Sequence, residues 1–230
     1  MPLEIIEDHT LHTRFLTPES VVLDLGANQG CFSRTMMQRF RCRCIAVEPS
    51  PAMFQQIEPH PLLQKYNVAI APCEGTFDFH VSDIPVSSSL GYKPEHWLET
   101  IPIQCRKLDT FITELEVPRI DVLKMDIEGI EIDVLRSCSD QVLRSVGQIT
   151  VEFHDHIGVV SKTDIEAQIQ RFQALGFLHF SRYLGCHYDT LFVNQVLCPI
   201  STAEYFWFRH VVRNWQGIGR RWQKWQQTSP

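Results

Sequence analysis

The chain has no long apolar run. Within its 230 residues no window approaches the ~18 apolar residues that a membrane-spanning helix requires. Its opening stretch, MPLEIIEDHTLH, is acidic where a signal peptide would be basic, so the sequence reads as cytoplasmic. It also has no basic surplus: 21 Lys and Arg stand against 27 Asp and Glu, giving a net charge of −6. A nucleic-acid binder needs a basic face to neutralise phosphates, so that class is disfavoured, and only a local basic patch stays open. No C-x-x-C pair occurs among the eight cysteines, Cys31, Cys42, Cys44, Cys73, Cys105, Cys138, Cys186 and Cys198. That argues against a zinc site or a disulfide framework and for reduced, buried thiols. Cys42 and Cys44 lie in the strand-like RCRCIAV, where period two puts both on one face. Internal repeats and low-complexity tracts are absent as well.

What is present is an alternation. At 44% hydrophobic residues the chain can bury a sizeable core. Apolar strand-like runs at 21–25, 43–47, 65–70, 120–125, 148–153 and 189–194 alternate with helical patterns at 31–40, 51–58, 108–115, 130–138 and 163–175. Such a rhythm predicts an α/β domain, Rossmann-like and doubly wound, with a mostly parallel sheet and helices on both faces. VLKMD and ITVEF are nearly continuous apolar runs, as strands covered on both sides should be. The segment 74–106 breaks the rhythm: EGTFDFHV alternates, SSSLGYKPEHW reads as a loop, and IPIQCRK is extended again. It is expected to be an inserted hairpin and lid on a single domain over residues 1–200.

Residues 201–230 form a different kind of segment. AEYFWFRHVVRNWQGIGRRWQKWQQ holds all but one of the five tryptophans and five basic residues against one acid. Trp207, Val211 and Trp215 recur at helical spacing beside Arg209 and Arg213, until Gly217 and Gly219 interrupt the stripe. The arm is expected to pack on its own domain or on a second subunit, as in a homodimer. The other reading is peripheral contact with an anionic membrane surface.

Ligands of open α/β sheets bind at the carboxyl ends of the strands, and three strand ends here are chemically loaded. The first strand runs into LGANQG, where Gly26, Ala27, Asn28 and Gly30 let backbone approach a ligand closely. The second ends at Glu48, 24 residues after Asp24, a spacing at which an acid can take two ribose hydroxyls. A pyrophosphate-binding turn needs G-x-G-x-x-G, but Asn28 and Cys31 stand at two of those places. Asp24 would repel a pyrophosphate and attract an ammonium group, directly or through water. An adenosine carrying an amino acid satisfies both acids, and that ligand is S-adenosyl-L-methionine. The third end, VLKMDIEGIEIDVL, sends out Lys124, Asp126 and Glu128 as alternate residues, which point one way if the backbone stays extended. The next strand delivers Glu152 and His154 in VEFH.

Read in order, VVLDLGANQG, AVEPSP, YNVAIAPCEGTFDF, RKLDTFI, LKMDIEG and VEFH resemble the FkbM family of S-adenosylmethionine-dependent methyltransferases over about residues 20–195. The resemblance implies a class I methyltransferase fold, a seven-stranded sheet with its last strand antiparallel, and O-methylation of a hydroxyl on a secondary metabolite, saccharide or cell-surface polymer precursor. It implies cofactor contacts from Asp24, Gly26, Asn28, Gly30 and Glu48, with Pro49, Asn67, Ala69 and Asp126 also expected at the cofactor. It puts Asp126, Glu128 and His154 on the reaction side, where Glu152 and Lys124 are expected with them. The arm lies outside it.

Methyl transfer requires an aligned hydroxyl and removal of its proton. His154 is the expected base, oriented by Glu152 or Asp126. The competing route is Mg²⁺ or Mn²⁺ held among Asp126, Glu128, Glu152 and His154, which would acidify the hydroxyl instead. Ser87, Ser88, Ser89, Tyr92, His96 and Trp97 in the inserted loop suit a hydroxylated acceptor, while Lys93 and His80 carry no assignment. Two other classes share parts of this pattern: an NAD(P)-dependent oxidoreductase, which the glycine turn disfavours, and a non-catalytic cofactor-binding scaffold.

Overall fold

The computed structural model describes residues 3–82, 90, 97–157, 160–183 and 186–208. A hairpin opens the chain, β1 (Leu3–Ile6) and β2 (His9–His12), followed by β3 (Val21–Leu25), α1 (Cys31–Phe40), β4 (Arg43–Val47), α2 (Pro51–Gln56) and β5 (Leu63–Tyr66). Next come β6 (Ala69–Ile70), β7 (Gly75–Ser82) and β8 (Trp97–Arg106), and then α3 (Leu108–Glu114), β9 (Ile120–Met125), α4 (Glu131–Ser137), α5 (Asp140–Arg144) and β10 (Val146–Val151). The chain closes with α6 (Lys162–Ala174), β11 (Phe177–Ser181), β12 (Thr190–Asn194) and α7 (Thr202–Trp207).

Seven strands form the main sheet in the order β11-β12-β10-β9-β3-β4-β5. The pairs β10–β9, β9–β3, β3–β4 and β4–β5 are parallel, while β12 runs antiparallel to both β10 and β11. This is the doubly wound sheet with one reversed, final strand that the resemblance implies: a class I methyltransferase fold.

Period-two alternation divides the core. Leu23, Leu25, Ile45, Val47, Leu123 and Met125 pack on one face. Val22, Cys44 and Val122 pack on the other with Phe32, Met36 and Met37 of α1, and Cys42 joins them. Cys42 and Cys44 therefore do share a face. All eight cysteines are free thiols; five are buried, Cys31 and Cys186 are half-buried, and Cys73 is exposed.

The run expected as one strand over 65–70 is two elements. At Asn67 the side-chain amide donates to the carbonyls of Glu48 and Pro49, both at 2.9 Å, and the chain leaves the main sheet. Beyond it, β6 pairs with β8 in a separate three-stranded sheet whose long members, β7 and β8, form an antiparallel hairpin. That hairpin falls within the segment 74–106. Its Phe79 turns inward with Ala69, Ala71, Ile103 and Cys105. The candidate acceptor contacts Ser87, Ser88, Ser89, Tyr92 and His96, with Lys93, lie outside the described residues. Trp97 is exposed and donates from Nε1 to Thr100 Oγ1 at 3.0 Å, and His80 contacts the same hydroxyl at 3.0 Å.

The opening hairpin was not anticipated. Glu7 and Asp8 form its turn with φ of 45° and 67°, a left-handed pair that usually calls for Asn or Gly. Tertiary anchors hold it there. The backbone N–H of His12 donates to Gln148 Oε1 at 2.8 Å, and Gln148 Nε2 donates back to the His12 carbonyl at 3.0 Å. Thr10 N–H donates to Asp189 Oδ1 at 2.9 Å. Ile6 and Leu11 are buried in the α1 side of the core. At the other end of the chain, α7 is tied back by Arg14, which bonds Glu204 at 2.9 and 3.0 Å. Phe208 is buried while Phe206 and Trp207 are exposed; of the aromatic stripe, Val211, Trp215 and the residues around them lie outside the described residues.

Candidate active site

The turn after β3 is built on left-handed backbone. Gly26, Asn28 and Gly30 have φ of 73°, 50° and 76°. Gly26 has no substitute, because a Cβ there would stand 1.7 Å from the carbonyl oxygen of Asp126. The missing side chain lets the turn lie directly against the end of β9, bringing the first and third loaded strand ends together. Under the turn sits Lys124, which is buried. Its ammonium donates to the carbonyls of Gly26 at 2.7 Å and Leu25 at 3.2 Å, and lies 3.3 Å from Asp24 and 3.6 Å from Asp126. Burial pulls the lysine pKa down, but Asp24 and Asp126 outweigh it and hold it above its ordinary value.

Two expectations change here. Asp24 is fully buried, accepts the Ser33 hydroxyl at 2.7 Å and faces Lys124; it does not line the cleft and is not open to a ligand ammonium. Lys124 is a clamp on the turn rather than a group facing a reacting atom.

Above the turn opens a cleft lined by Gly26, Asn28, Glu48, Pro49, Ala69 and Asp126 among the expected cofactor residues. Val47, Ile70, Phe79, Leu90 and Ile127 supply apolar wall, and Glu128 closes the side toward β10. Ala27 is buried with Ala46 and Ile57, and Asn67 orients the backbone after β4, so both shape the cleft from behind. Glu48 is fixed by two backbone donors, Asn28 N–H at 2.7 Å and Ser50 N–H at 2.8 Å, one on each carboxylate oxygen. Burial raises its pKa to about 7 against the lowering effect of those donors. Each oxygen keeps a lone pair for a further donor.

At the far end of the cleft the residues expected on the reaction side converge, though not as a strand ladder. The chain turns at Glu128 and Gly129, with φ of 57° and 98°, and His154 opens a helical turn, His154–Ile157. The imidazole of His154 lies between carboxylates: Nδ1 is 3.1 Å from Glu131, and Nε2 is 3.3 Å from Glu128, 3.8 Å from Glu152 and 4.0 Å from Asp126. Glu131 is fully buried and also accepts the N–H groups of Ile127 and Gly129 at 3.1 Å. A ring with a carboxylate beside each nitrogen favours the imidazolium form. Burial alone would lower its pKa, yet Glu128 and Glu131 lift it to about 11. Held among these carboxylates, His154 is placed as a charged partner to them rather than as a free base.

Sequence reasoning missed Glu131 and His9. Glu131 reads as an ordinary first-turn acid of α4. His9 is buried and arrives from β2, with Nδ1 3.4 Å from Thr150 Oγ1. Burial, then the charge of Lys124, pushes its pKa down to about 3, so the ring is neutral. Two groups of side chains could hold a metal among the described residues: His9 with Asp126 and Glu152, and Asp126 with Glu131 and His154. No described helix is long and apolar enough to cross a membrane.

Comparison with known proteins points the same way as this arrangement. The chain is similar to the 2-O-methyltransferase NoeI of Sinorhizobium fredii, 27% identical over 158 residues that cover 60% of this chain and 65% of NoeI. It is also similar to the AMB antimetabolite synthetase AmbE of Pseudomonas aeruginosa, 28% identical over 61% of this chain and 9% of that one. The chain thus spans less than two thirds of either relative. Among solved structures, the methyltransferase FkbM of Methylobacillus flagellatus aligns with 77% of this chain and 44% of its own, with a TM-score of 0.50 at 12% identity, a likeness of fold. The family model for the methyltransferase FkbM domain matches residues 24–178, which include the glycine turn, Glu48, Asp126 and His154, and the chain belongs to that family.

Proposed function

We propose that this protein transfers the methyl group of S-adenosyl-L-methionine to a hydroxyl oxygen of a small molecule or saccharide. The observation that carries the reading is the fixing of Glu48 by Asn28 and Ser50 at the edge of a cleft that ends among Asp126 and Glu128. A carboxylate held by backbone donors is an acceptor already oriented for two ribose hydroxyls. The apolar wall of Val47, Ile70, Phe79 and Leu90 suits an adenine face. The acidic end of the cleft suits a sulfonium.

In the proposed reaction the acceptor oxygen attacks the methyl carbon from the side opposite sulfur. The O–C bond forms as the S–C bond breaks, and its electron pair stays on sulfur, leaving neutral S-adenosylhomocysteine. Holding the reacting atoms ~3–3.5 Å apart supplies much of the acceleration. The hydroxyl proton passes to a carboxylate, and Asp126 and Glu128 are the two at the far end of the cleft, away from Glu48. His154 acts as a positioning residue, its positive charge keeping Glu128, Glu131 and Glu152 gathered. Oxygen as the acceptor atom accords with the name of NoeI.

The test is isothermal calorimetry with S-adenosylhomocysteine, followed by incubation of the enzyme with labelled S-adenosylmethionine and a panel of hydroxylated acceptors. Heat of binding and label in an ether linkage are the expected results. Absence of binding, in a protein that takes up NAD or another nucleotide instead, contradicts the reading.

A further inference from the structure

We infer that His9, Asp126 and Glu152 form a binding site for a divalent first-row cation beside the proposed methyl-transfer position. The inference rests on the reading above for the role of the ion, and on its own geometry for the existence of the site. One ligand atom from each of the three side chains lies within 4.8 Å of the other two. Ligands on opposite sides of an ion with ~2.1 Å bonds stand ~4.2 Å apart, so small side-chain rotations close the set. An imidazole with two carboxylates is a donor set suited to manganese and its neighbours.

His9 is the second, independent observation. Its side chain is 97% withdrawn from solvent, with 3% relative exposure, and its one polar contact among the described residues is the 3.4 Å approach of Nδ1 to Thr150. No hydrogen bond to a described residue engages its Nε2. Nε2 is thus the ring nitrogen left for a further partner. Moreover, the backbone of β2 that carries His9 is fastened: Gln148 grips both backbone groups of His12, and Asp189 holds Thr10. Those anchors sit on β10 and just before β12, the strands whose ends border the cluster. His9 also lies outside the matched span 24–178, so the hairpin adds to the family's domain the nitrogen ligand that its own histidine cannot give.

The rival set, Asp126 with Glu131 and His154, is already closed. Glu131 is spent on two backbone N–H groups and on His154, whose second nitrogen faces Glu128. Charge favours the ion too. Among the described residues around the end of the cleft, five carboxyl groups, Asp24, Asp126, Glu128, Glu131 and Glu152, are linked by contacts to two cations, Lys124 and His154, and burial raises the pKa of Glu128 and Glu152 in this crowded, acid-rich place. A dication and a sulfonium together offset that surplus. With the ion on His9, Asp126 and Glu152, an acceptor hydroxyl bound to it becomes more acidic. Its proton passes to Glu128, the carboxylate at that end of the cleft outside the ligand set.

The test titrates the full chain with Mn²⁺ alone and reads free ion by electron paramagnetic resonance. One Mn²⁺ per chain is expected for the parent protein, with affinity weakened about tenfold or more in His9→Asn and in Glu152→Gln, and weakened less in His154→Asn, which removes a neighbouring cation but no ligand. Calorimetry with S-adenosylhomocysteine on the same preparations separates the two readings. If that compound binds and Mn²⁺ does not, the ion site is wrong while the cofactor reading stands; if Mn²⁺ binds and the compound does not, the reverse holds. Loss of Mn²⁺ in His154→Asn with retention in His9→Asn moves the ion to the rival set and overturns the inference. Should His9→Asn fail to fold, Glu152→Gln, lying at a strand end rather than in the hairpin, decides alone.

Discussion

The backbone N–H of Asn28 donates to the carboxylate of Glu48 at 2.7 Å, so the glycine turn after one strand and the acid ending the next are one unit. Their mutual positions are set before any ligand arrives, and preorganisation of this kind lowers the cost of binding. Glu48→Gln puts an amide N–H₂ against one of two backbone donors. It is expected to weaken S-adenosylhomocysteine binding by about tenfold or more, ~1.4 kcal/mol, in calorimetry, with little change in far-UV circular dichroism. Unchanged affinity would remove Glu48 from the ribose site.

The same carboxyl predicts a pH dependence. Its folded pKa is raised to about 7 from 4.5, chiefly by burial, so its protonated form favours folding. That contribution is complete below 4.5 and is lost as pH rises through 7. Ribose hydroxyls donate to the ionised form, so cofactor binding should release a proton. Affinity for S-adenosylhomocysteine is therefore expected to rise between pH 6 and pH 8, and the rise should flatten in Glu48→Gln. Affinity that falls over that range, with the same fall in Glu48→Gln, would assign the titration elsewhere.

Gly26→Ala meets both a left-handed φ of 73° and the Asp126 carbonyl. Backbone strain of ~1–2 kcal/mol adds to a clash that only separation of the turn from β9 relieves. Gly176→Ala is the control, since its φ is 91° but nothing lies within 4 Å of the added Cβ. Thermal unfolding should show a much larger drop for the first than for the second, and equal drops would mean that the turn is not pressed on β9.

Lys124 and Asp24 should behave as a coupled pair. Lys124→Met leaves Asp24 and two carbonyls buried without their cation, a loss of ~3–5 kcal/mol, whereas Asp24→Asn with Lys124→Met should recover part of it. Urea unfolding of the four proteins measures the coupling. Strict additivity would contradict the clamp assigned to Lys124.

Gln148→Ala should loosen the opening hairpin. It strips partners from one buried N–H and one buried carbonyl of His12, at ~1–3 kcal/mol each. Faster amide exchange at Thr10, Leu11 and His12, with protection in β3 and β9 preserved, is the expected result. Uniform loss of protection would show that the hairpin and the sheet unfold together.

Much of this fold was legible because period and punctuation agreed. β3, α1, β4 and β9 fall on the residues expected, where apolar runs end in glycine, in a cap or in a loaded loop. β1 and β2 escaped because four-residue strands around Glu7 and Asp8 carry no usual turn residue, and tertiary anchors override the local preference. β11 escaped because FLHFS alternates too briefly to stand out. In the site, residue types were legible and partnerships were not. Asp24 and Glu48 look alike in sequence, but one is consumed by Lys124 and the other faces the cleft. His154 reads as a neutral base until Glu131, the first residue of α4, supplies its second carboxylate. His9 could be found only in three dimensions, since no local pattern links residue 9 to the ends of β9 and β10.

The most direct test is a crystal structure with S-adenosylhomocysteine bound. Its ribose hydroxyls should lie on Glu48, its adenine against Ile70 and Phe79, and its sulfur toward Asp126. A ligand seated elsewhere on the chain, or oriented with its ribose away from Glu48, would contradict the account.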